Sequence, residues 1–313
     1  METIKEKLAI QPGQVCQEIT TLVRGALVAM GKNGILIGLS GGLDSAVVAY
    51  LAVRSVGPEK LVLLNMPDRD SKKKHQQHAQ LIATELGIPL KIKRLTPTLQ
   101  AAGLYRTLPV GLVPGQRLKR HLVRWGRKAA GLERSANLLA ERLRPQAGSW
   151  VARGNAYATF KHRMRMVFLY QYAQIHNLMV VGAANKTELL TGTFSQWGCD
   201  QCADVMPILH LYRSQLTPLA EYLGLPEVVQ HKAADPDVLP GVDDKGELLG
   251  SFEIADQILW GIEHGFAEDQ LIKAFGEERV LRIKTLYDLS RPMREVPYSL
   301  NKKARDGLSP GDR

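Results

Sequence analysis

Cysteine is scarce: Cys16, Cys199 and Cys202 are the only three in 313 residues. So small and odd a number excludes a disulfide scaffold and suits a reducing compartment. No apolar run approaches the ~20 residues that span a bilayer, and no basic-then-apolar leader opens the chain. Together these predict a cytoplasmic protein without membrane association. Internal repeats and low-complexity tracts are also lacking, and none of the eight His residues has the spacing to a Ser or Cys that marks a nucleophilic triad. The Lys of a Walker A loop, G-x-x-x-x-G-K-[ST], is missing as well, so any phosphate-binding loop here is of another kind.

The length fits one large α/β domain. Lys and Arg number 41 against 31 Asp and Glu, a net charge of +10. Most of the excess lies in one segment, where nine Lys/Arg between Arg117 and Arg144 face only Glu133 and Glu141. Leucines and Trp125 interleave those charges, which fits an amphipathic helix pair with a solvated basic face or a patch that attracts polyanions. Nucleic acid is the less favoured partner.

Along the chain, residues 1–31 have the apolar spacing of a helix closed by Gly31 and Gly34. A strand at 35–39, a helix at 44–56, a strand at Leu61 to Asn65, a helix at Lys74 to Leu86 and a strand at Leu90 to Lys93 follow. Such alternation predicts a parallel sheet with helices on both faces. Gly and Pro break the rhythm over residues 98–150, a basic, partly helical surface insertion. Further on, the pattern predicts a helix from Lys161 to Asn177, a strand from Leu178 to Gly182 and helices at Leu211 to Leu223, Ser251 to Gly261 and Ala267 to Leu289. Residues Asp235 to Gly250 have the composition of a mobile acidic loop, and 298–313 that of a flexible basic tail; residues 1–297 form the single domain.

Ser40-Gly41-Gly42-Leu43-Asp44-Ser45 sits between a strand and a helix. Its hydroxyls, its close-approaching backbone N–H groups and the helix dipole converge on a place suited to a phosphate group. Asp44 puts a carboxylate beside that phosphate, which makes sense mainly with Mg²⁺; a plain Ser/Gly helix cap is the alternative. Gly182-Ala183-Ala184-Asn185-Lys186-Thr187-Glu188 would leave the same sheet edge, with Glu188 a second metal carboxylate or only a first-turn acid. Asp200 and Asp204 follow on a glycine-containing loop. Cys199 and Cys202 have C-x-x-C spacing, open to small packing residues, half a zinc site, a cluster shared with Cys16 or a redox pair.

An ordered series is more specific: Met66-Pro67, Gly154-Asn155, His162 to Met166 with Leu169-Tyr170, Asn185 to Glu188, Gly198 through Asp204 to Pro207, Asp243-Asp244 and Leu249-Gly250. With it the chain resembles the ammonia-dependent NAD synthetases of the PP-loop (ATP-pyrophosphatase) superfamily, over about residues 20–297 without the insertion. The resemblance implies a Rossmann-like, doubly wound parallel sheet of the adenine nucleotide alpha hydrolase type and a homodimer. It implies an amide ligase that adenylates nicotinic acid adenine dinucleotide (deamido-NAD) with ATP and Mg²⁺, then lets ammonia displace AMP.

Carried over by motif, Gly38, Leu39, Ser40, Gly41, Gly42, Leu43, Asp44 and Ser45 would bind ATP with Met66 and Arg213. Asp44 and Glu188 would hold Mg²⁺ as catalytic residues, and Arg163 and Asp204 would contact the dinucleotide. The pattern departs at Ala183, where the family has Thr, at Gln196 for a Lys, at an inserted Cys199, at Asp235 for Ser or Thr, and at Pro292-Met293-Arg294 for His-Lys-Arg. Two other readings stay open: a PP-loop sulfur-transfer or RNA-modifying enzyme using Cys199 and Cys202, and a non-catalytic nucleic-acid-binding relative.

Overall fold

A computed structural model describes residues 4–107, 135–199, 201–231 and 251–295. Four parallel strands, β1 (Gly34–Gly38), β2 (Leu61–Asn65), β3 (Leu90–Ile92) and β4 (Leu178–Val181), lie in the order β3-β2-β1-β4. Ile35 of β1 is in register with Leu61 on one side and Met179 on the other. Side chains alternate across a strand. Ile35 and Ile37 therefore enter one core cluster with Leu63, Met179 and Val181, while Leu36 joins Val180 and Leu178 in a second. A sheet buried on both faces explains why β1 reads as an unbroken apolar run rather than an alternating one. Each of these fully buried Ile and Leu side chains is worth about 1.5–3 kcal/mol.

The first face is covered by α2 (Pro12–Ala29) and α3 (Leu43–Val56), which follow the short α1 (Ile4–Lys7). Pro12 at the start of α2 divides what periodicity presents as one N-terminal helix, since proline suits a first helical turn and not an interior. Helix α4 (Lys73–Glu85) joins β2 to β3 on the same face through Ala79, Ile82 and Ala83. The second face is covered by α5 (Thr96–Ala101) and, beyond α6 (Ser135–Leu143), by α7 (Trp150–His176). Helix α7 begins well before the expected Lys161, because the Ser149 side chain accepts a hydrogen bond from Ala152 N at 3.1 Å and caps it there.

After β4 come α8 (Lys186–Thr191), α9 (Leu216–Leu223) and α10 (Glu227–Gln230). The expected helix at Leu211 to Leu223 is thus a 3-10 turn at Arg213–Gln215 running into α9. Helices α11 (Phe252–Glu263), α12 (Glu268–Phe275) and α13 (Glu277–Glu295) enclose a third cluster around Leu190 and Tyr212. The helix expected from Ala267 to Leu289 is divided at Gly276. The acidic segment Asp235 to Gly250, the tail beyond Pro297, Asp200 and most of the basic stretch 117–144 lie outside the described residues.

The chain runs outward from β1 through β2 to β3, then returns to lay β4 on the other side of β1. Strand order therefore reverses between β1 and β4, and at such a reversal the loops leaving the two carboxyl ends part and open a crevice.

Candidate active site

Two loops meet the crevice, residues 39–42 after β1 and 182–185 after β4, each leading into a helix N-terminus. Leu39 anchors the first. Its N–H donates to Leu64 O at 3.0 Å and its carbonyl accepts from Asn65 Nδ2 at 2.7 Å. The Ser40 and Ser45 hydroxyls lie 2.9 Å apart, and Gly42 N donates to Ser40 Oγ at 3.2 Å. Gly41 has φ 78°, and a Cβ on it would stand 2.1 Å from the carbonyl oxygen of His75. Only glycine lets this loop close against α4. Leu43 is buried at the start of α3, and Asp44 follows in its first turn. Met66 is buried beside Gly38, its carbonyl accepting from Arg165 Nε at 3.3 Å.

The second loop ends in a cap: Asn185 Oδ1 accepts from Glu188 N at 3.0 Å. The helix-start and site readings of this motif are thus both compatible with α8, whose first turn carries Glu188. Asn185 is 1% exposed, and its Nδ2 has no hydrogen-bond partner.

Arg213 ties the loops together. Its N–H donates to Thr187 Oγ1 at 2.8 Å, and its Nε lies 3.5 Å from Asp44 Oδ1. Asp256, fully buried on α11, fixes this arrangement by accepting from Thr187 Oγ1 at 2.5 Å and from Ser214 N at 2.8 Å. Burial pushes the Asp256 carboxyl above its ordinary range, against the pull of these hydrogen bonds and of Arg213.

Asp44 Oδ1 is itself buried and makes no hydrogen bond. A buried carboxylate oxygen beside one guanidinium, with a second carboxylate on the neighbouring helix start, is a donor set suited to a hard cation that takes its remaining ligands from phosphate and water. Among the described residues no group of three or more His, Cys, Asp and Glu side chains forms a metal cage.

Arg163 and Asp204 are placed elsewhere. Arg163, exposed on α7, donates from Nε and Nη2 to Gln196 O at 3.3 and 3.2 Å. Asp204 accepts from Val180 N at 2.8 Å and from Tyr170 OH at 3.1 Å, so it pins the loop that follows α8 to the edge of β4. Burial and that carboxylate together push the Tyr170 phenol up. Cys16 packs in the core cluster on the opposite sheet face from Cys199, which removes it from any shared cluster.

Sequence reasoning missed a buried charge group after β2. Lys161 of α7, 0% exposed, donates to Asp70 Oδ2 at 2.8 Å and to Asp68 Oδ1 at 3.1 Å. Tyr157 OH also bonds Asp70, Arg165 Nη2 lies 3.5 Å from Asp68 Oδ2, and Arg69 stacks on Tyr105. Burial first, then the Asp70 bond, push the Tyr157 phenol up. The group holds the Met66-Pro67 turn against α7. Asp68 and Asp70 so soon after a strand were the available signal.

A parallel sheet with a glycine-serine loop and an acidic helix start at its reversal point defines an open α/β protein whose crevice lies where such sheets bind ligands. The NAD synthase family model matches residues 15–106 and 130–297, and the chain belongs to that family. It is 36% identical over 288 residues to the NH(3)-dependent NAD(+) synthetase of Coprothermobacter proteolyticus, covering 91% of this chain and 97% of that protein. Identity is 31% over 289 residues to the synthetase of the same name from Thermotoga maritima, with 91% and 99% covered. Among solved structures, the NMN synthetase from Francisella tularensis superposes with a TM-score of 0.68 at 22% identity, over 94% of this chain and all of that one. The NH3-dependent NAD synthetase from Campylobacter jejuni gives 0.65 at 22%, over 93% of this chain and all of that one. The family match leaves out residues 107–129.

Proposed function

We propose that this protein is an ammonia-dependent NAD synthase, an ATP-dependent ligase that converts the carboxylate of deamido-NAD to the amide with release of AMP and pyrophosphate. The observation that carries the reading is Arg213 beside the buried, hydrogen-bond-free oxygen of Asp44, at the mouth of the Ser40 to Ser45 loop. A carboxylate is a poor acyl donor, so one of its oxygens must become a leaving group, and transfer of adenylate from ATP does this. The 40–45 loop and the α3 N-terminus hold the triphosphate, with Ser40 and Ser45 offering hydroxyls. Arg213 offsets charge that builds on the departing pyrophosphate. Asp44 and Glu188 would hold Mg²⁺, which supplies further charge neutralisation on the phosphate oxygens when bound. Met66 and Gly38 border the nucleotide side of the crevice, and Arg163 and Asp204 serve the dinucleotide, Asp204 through the loop it pins.

A single domain working in the cytoplasm as a homodimer belongs to the same proposal; Val167 and Ile175, exposed on α7, offer apolar surface for a second copy. No helix among the described residues is long and apolar enough to cross a membrane. The test supplies heavy-nitrogen ammonium with ATP, Mg²⁺ and deamido-NAD. The label should appear in the amide of NAD, and glutamine alone should not replace ammonium. Consumption of ATP without labelled NAD would overturn the reading.

A further inference from the structure

The C-x-x-C pair lies on the loop between α8 and the 3-10 turn at Arg213–Gln215 and has a partner the spacing did not reveal. His162 Nδ1 is 3.3 Å from Cys199 Sγ, and Cys199 N donates to His162 O at 3.2 Å, so backbone and side chain both seat the thiol against α7. That seat is built for closeness: a Cβ on Gly198 would stand 2.8 Å from His162 Cβ. Cys202 N and Gln201 N both donate to Gly198 O, at 2.8 and 3.1 Å. These two bonds close a turn on Gly198 O; residues three apart in a helical turn have Cβ atoms about 5–6 Å apart, whereas a disulfide needs about 3.5–4.5 Å, so the turn must tighten for the bond to form. Both thiols are partly accessible, whereas Cys16 is buried. Trp197, just before the pair, has φ 60°, a strained value for a bulky residue and a mark of a loop held in place by its surroundings.

We propose that Cys199 is a reactive thiol, activated by His162 and resolved by Cys202, at which hydroperoxides close a Cys199–Cys202 disulfide. The Cys199 proton passes to His162 Nδ1, and the thiolate sulfur attacks one peroxide oxygen. The S–O bond forms as the O–O bond breaks, and the leaving hydroxide or alkoxide takes the imidazolium proton. Cys202 sulfur then displaces hydroxide from the Cys199 sulfenic acid, and its own proton leaves with that hydroxide as water. Two thiols are oxidised by two electrons, and hydrogen peroxide is reduced to two waters. The order of roles follows from surroundings. Cys199 has the imidazole, whereas burial pushes the Cys202 thiol up despite the counter-pull of Arg163, which keeps it the protonated resolving partner.

Closing the disulfide draws Cys199 off His162 and shifts the turn carrying the Gln196 carbonyl that Arg163 holds. The consequence for substrate binding rests on the proposed function; the thiol chemistry does not. The test treats the intact protein with hydrogen peroxide and follows the tryptic peptide Thr187 to Arg213, which contains both cysteines. Loss of two hydrogens from this peptide, reversed by dithiothreitol, is expected. Cys202→Ser should accumulate a sulfenic acid at Cys199 that a cyclic diketone traps. His162→Asn should slow disulfide closure about tenfold at neutral pH, and His162→Gln should do the same if the imidazole rather than the seat matters. The Cys199→Ser/Cys202→Ser protein should keep its activity and lose peroxide sensitivity. Oxidation of Cys199 no faster than Cys16, rates indifferent to His162, or only intermolecular disulfides would each overturn the proposal. Failure to make NAD, with the disulfide formed as described, would count against the proposed function alone.

Discussion

Arg213 Nε stands 3.5 Å from Asp44 Oδ1, joining the helix that follows β1 to the segment that follows β4. The pair spans the point where strand order reverses, so each side chain should matter chiefly when nucleotide is bound. Asp44→Ala and Arg213→Ala should each lower kcat by about 10²–10³-fold, read from initial rates of NAD formation. In the double variant the losses should fall short of multiplying, since the residues touch. Full multiplication would show that they act independently.

Gly41 and Gly42 are neighbours with opposite tolerance. A Cβ on Gly41 would lie 2.1 Å from His75 O on a backbone with φ 78°, whereas one on Gly42 would meet only Ser40 Oγ at 3.4 Å. The left-handed backbone alone costs about 1–2 kcal/mol for an alanine. Gly41→Ala should therefore lower the unfolding free energy by more than that and weaken ATP binding, while Gly42→Ala should unfold like the parent. Denaturant titration and nucleotide calorimetry of the two variants check this.

Lys161 stands between two buried carboxylates. Removing one partner of a buried ion pair costs about 3–5 kcal/mol because the other charge is left uncompensated. Lys161→Met should destabilise by this order, and Lys161→Met/Asp68→Asn/Asp70→Asn should recover a large part of the loss. Equal midpoints for the single and triple variants in urea would contradict the buried-charge explanation.

Asp256 supplies a pH dependence. Burial raises its folded-state carboxyl above the unfolded value, so between the two values the folded protein holds the extra proton. This contribution to stability is fully present below the unfolded value and is lost as pH rises through the folded one. Asp256→Asn cannot titrate and should flatten that part of the stability curve. It should also cost about 1–3 kcal/mol at neutral pH, because one acceptor toward Thr187 or Ser214 becomes a donor. Parallel pH–stability curves for the two proteins would contradict the assignment.

Much of the sheet was legible in the sequence because buried parallel strands are short apolar runs with clear stops. Leu61–Asn65 ends at Met66-Pro67, and the expected and observed strand coincide. Helix α7 was half read, since Gly154 and the basic residues before Lys161 mask a start that depends on the Ser149 cap. The two loops were readable from Gly, Ser and acidic residues at strand ends, and Arg213 from the family pattern. The Lys161 group was not, because a lysine in a helix ordinarily lies in water, and only the return of α7 across the sheet brings it to Asp68 and Asp70. The His162–Cys199 contact was hidden for the same reason: its partners are 37 residues apart.

Activation of a carboxylate by adenylation is read most directly from the products it leaves. The most direct measurement incubates the purified protein with ATP, Mg²⁺, ammonium and deamido-NAD and quantifies products by mass spectrometry, beside Asp44→Ala. NAD and AMP should form in equal amounts, and both should be lost in the variant. ADP and phosphate as the products, or NAD formation that survives Asp44→Ala undiminished, would contradict this mechanism.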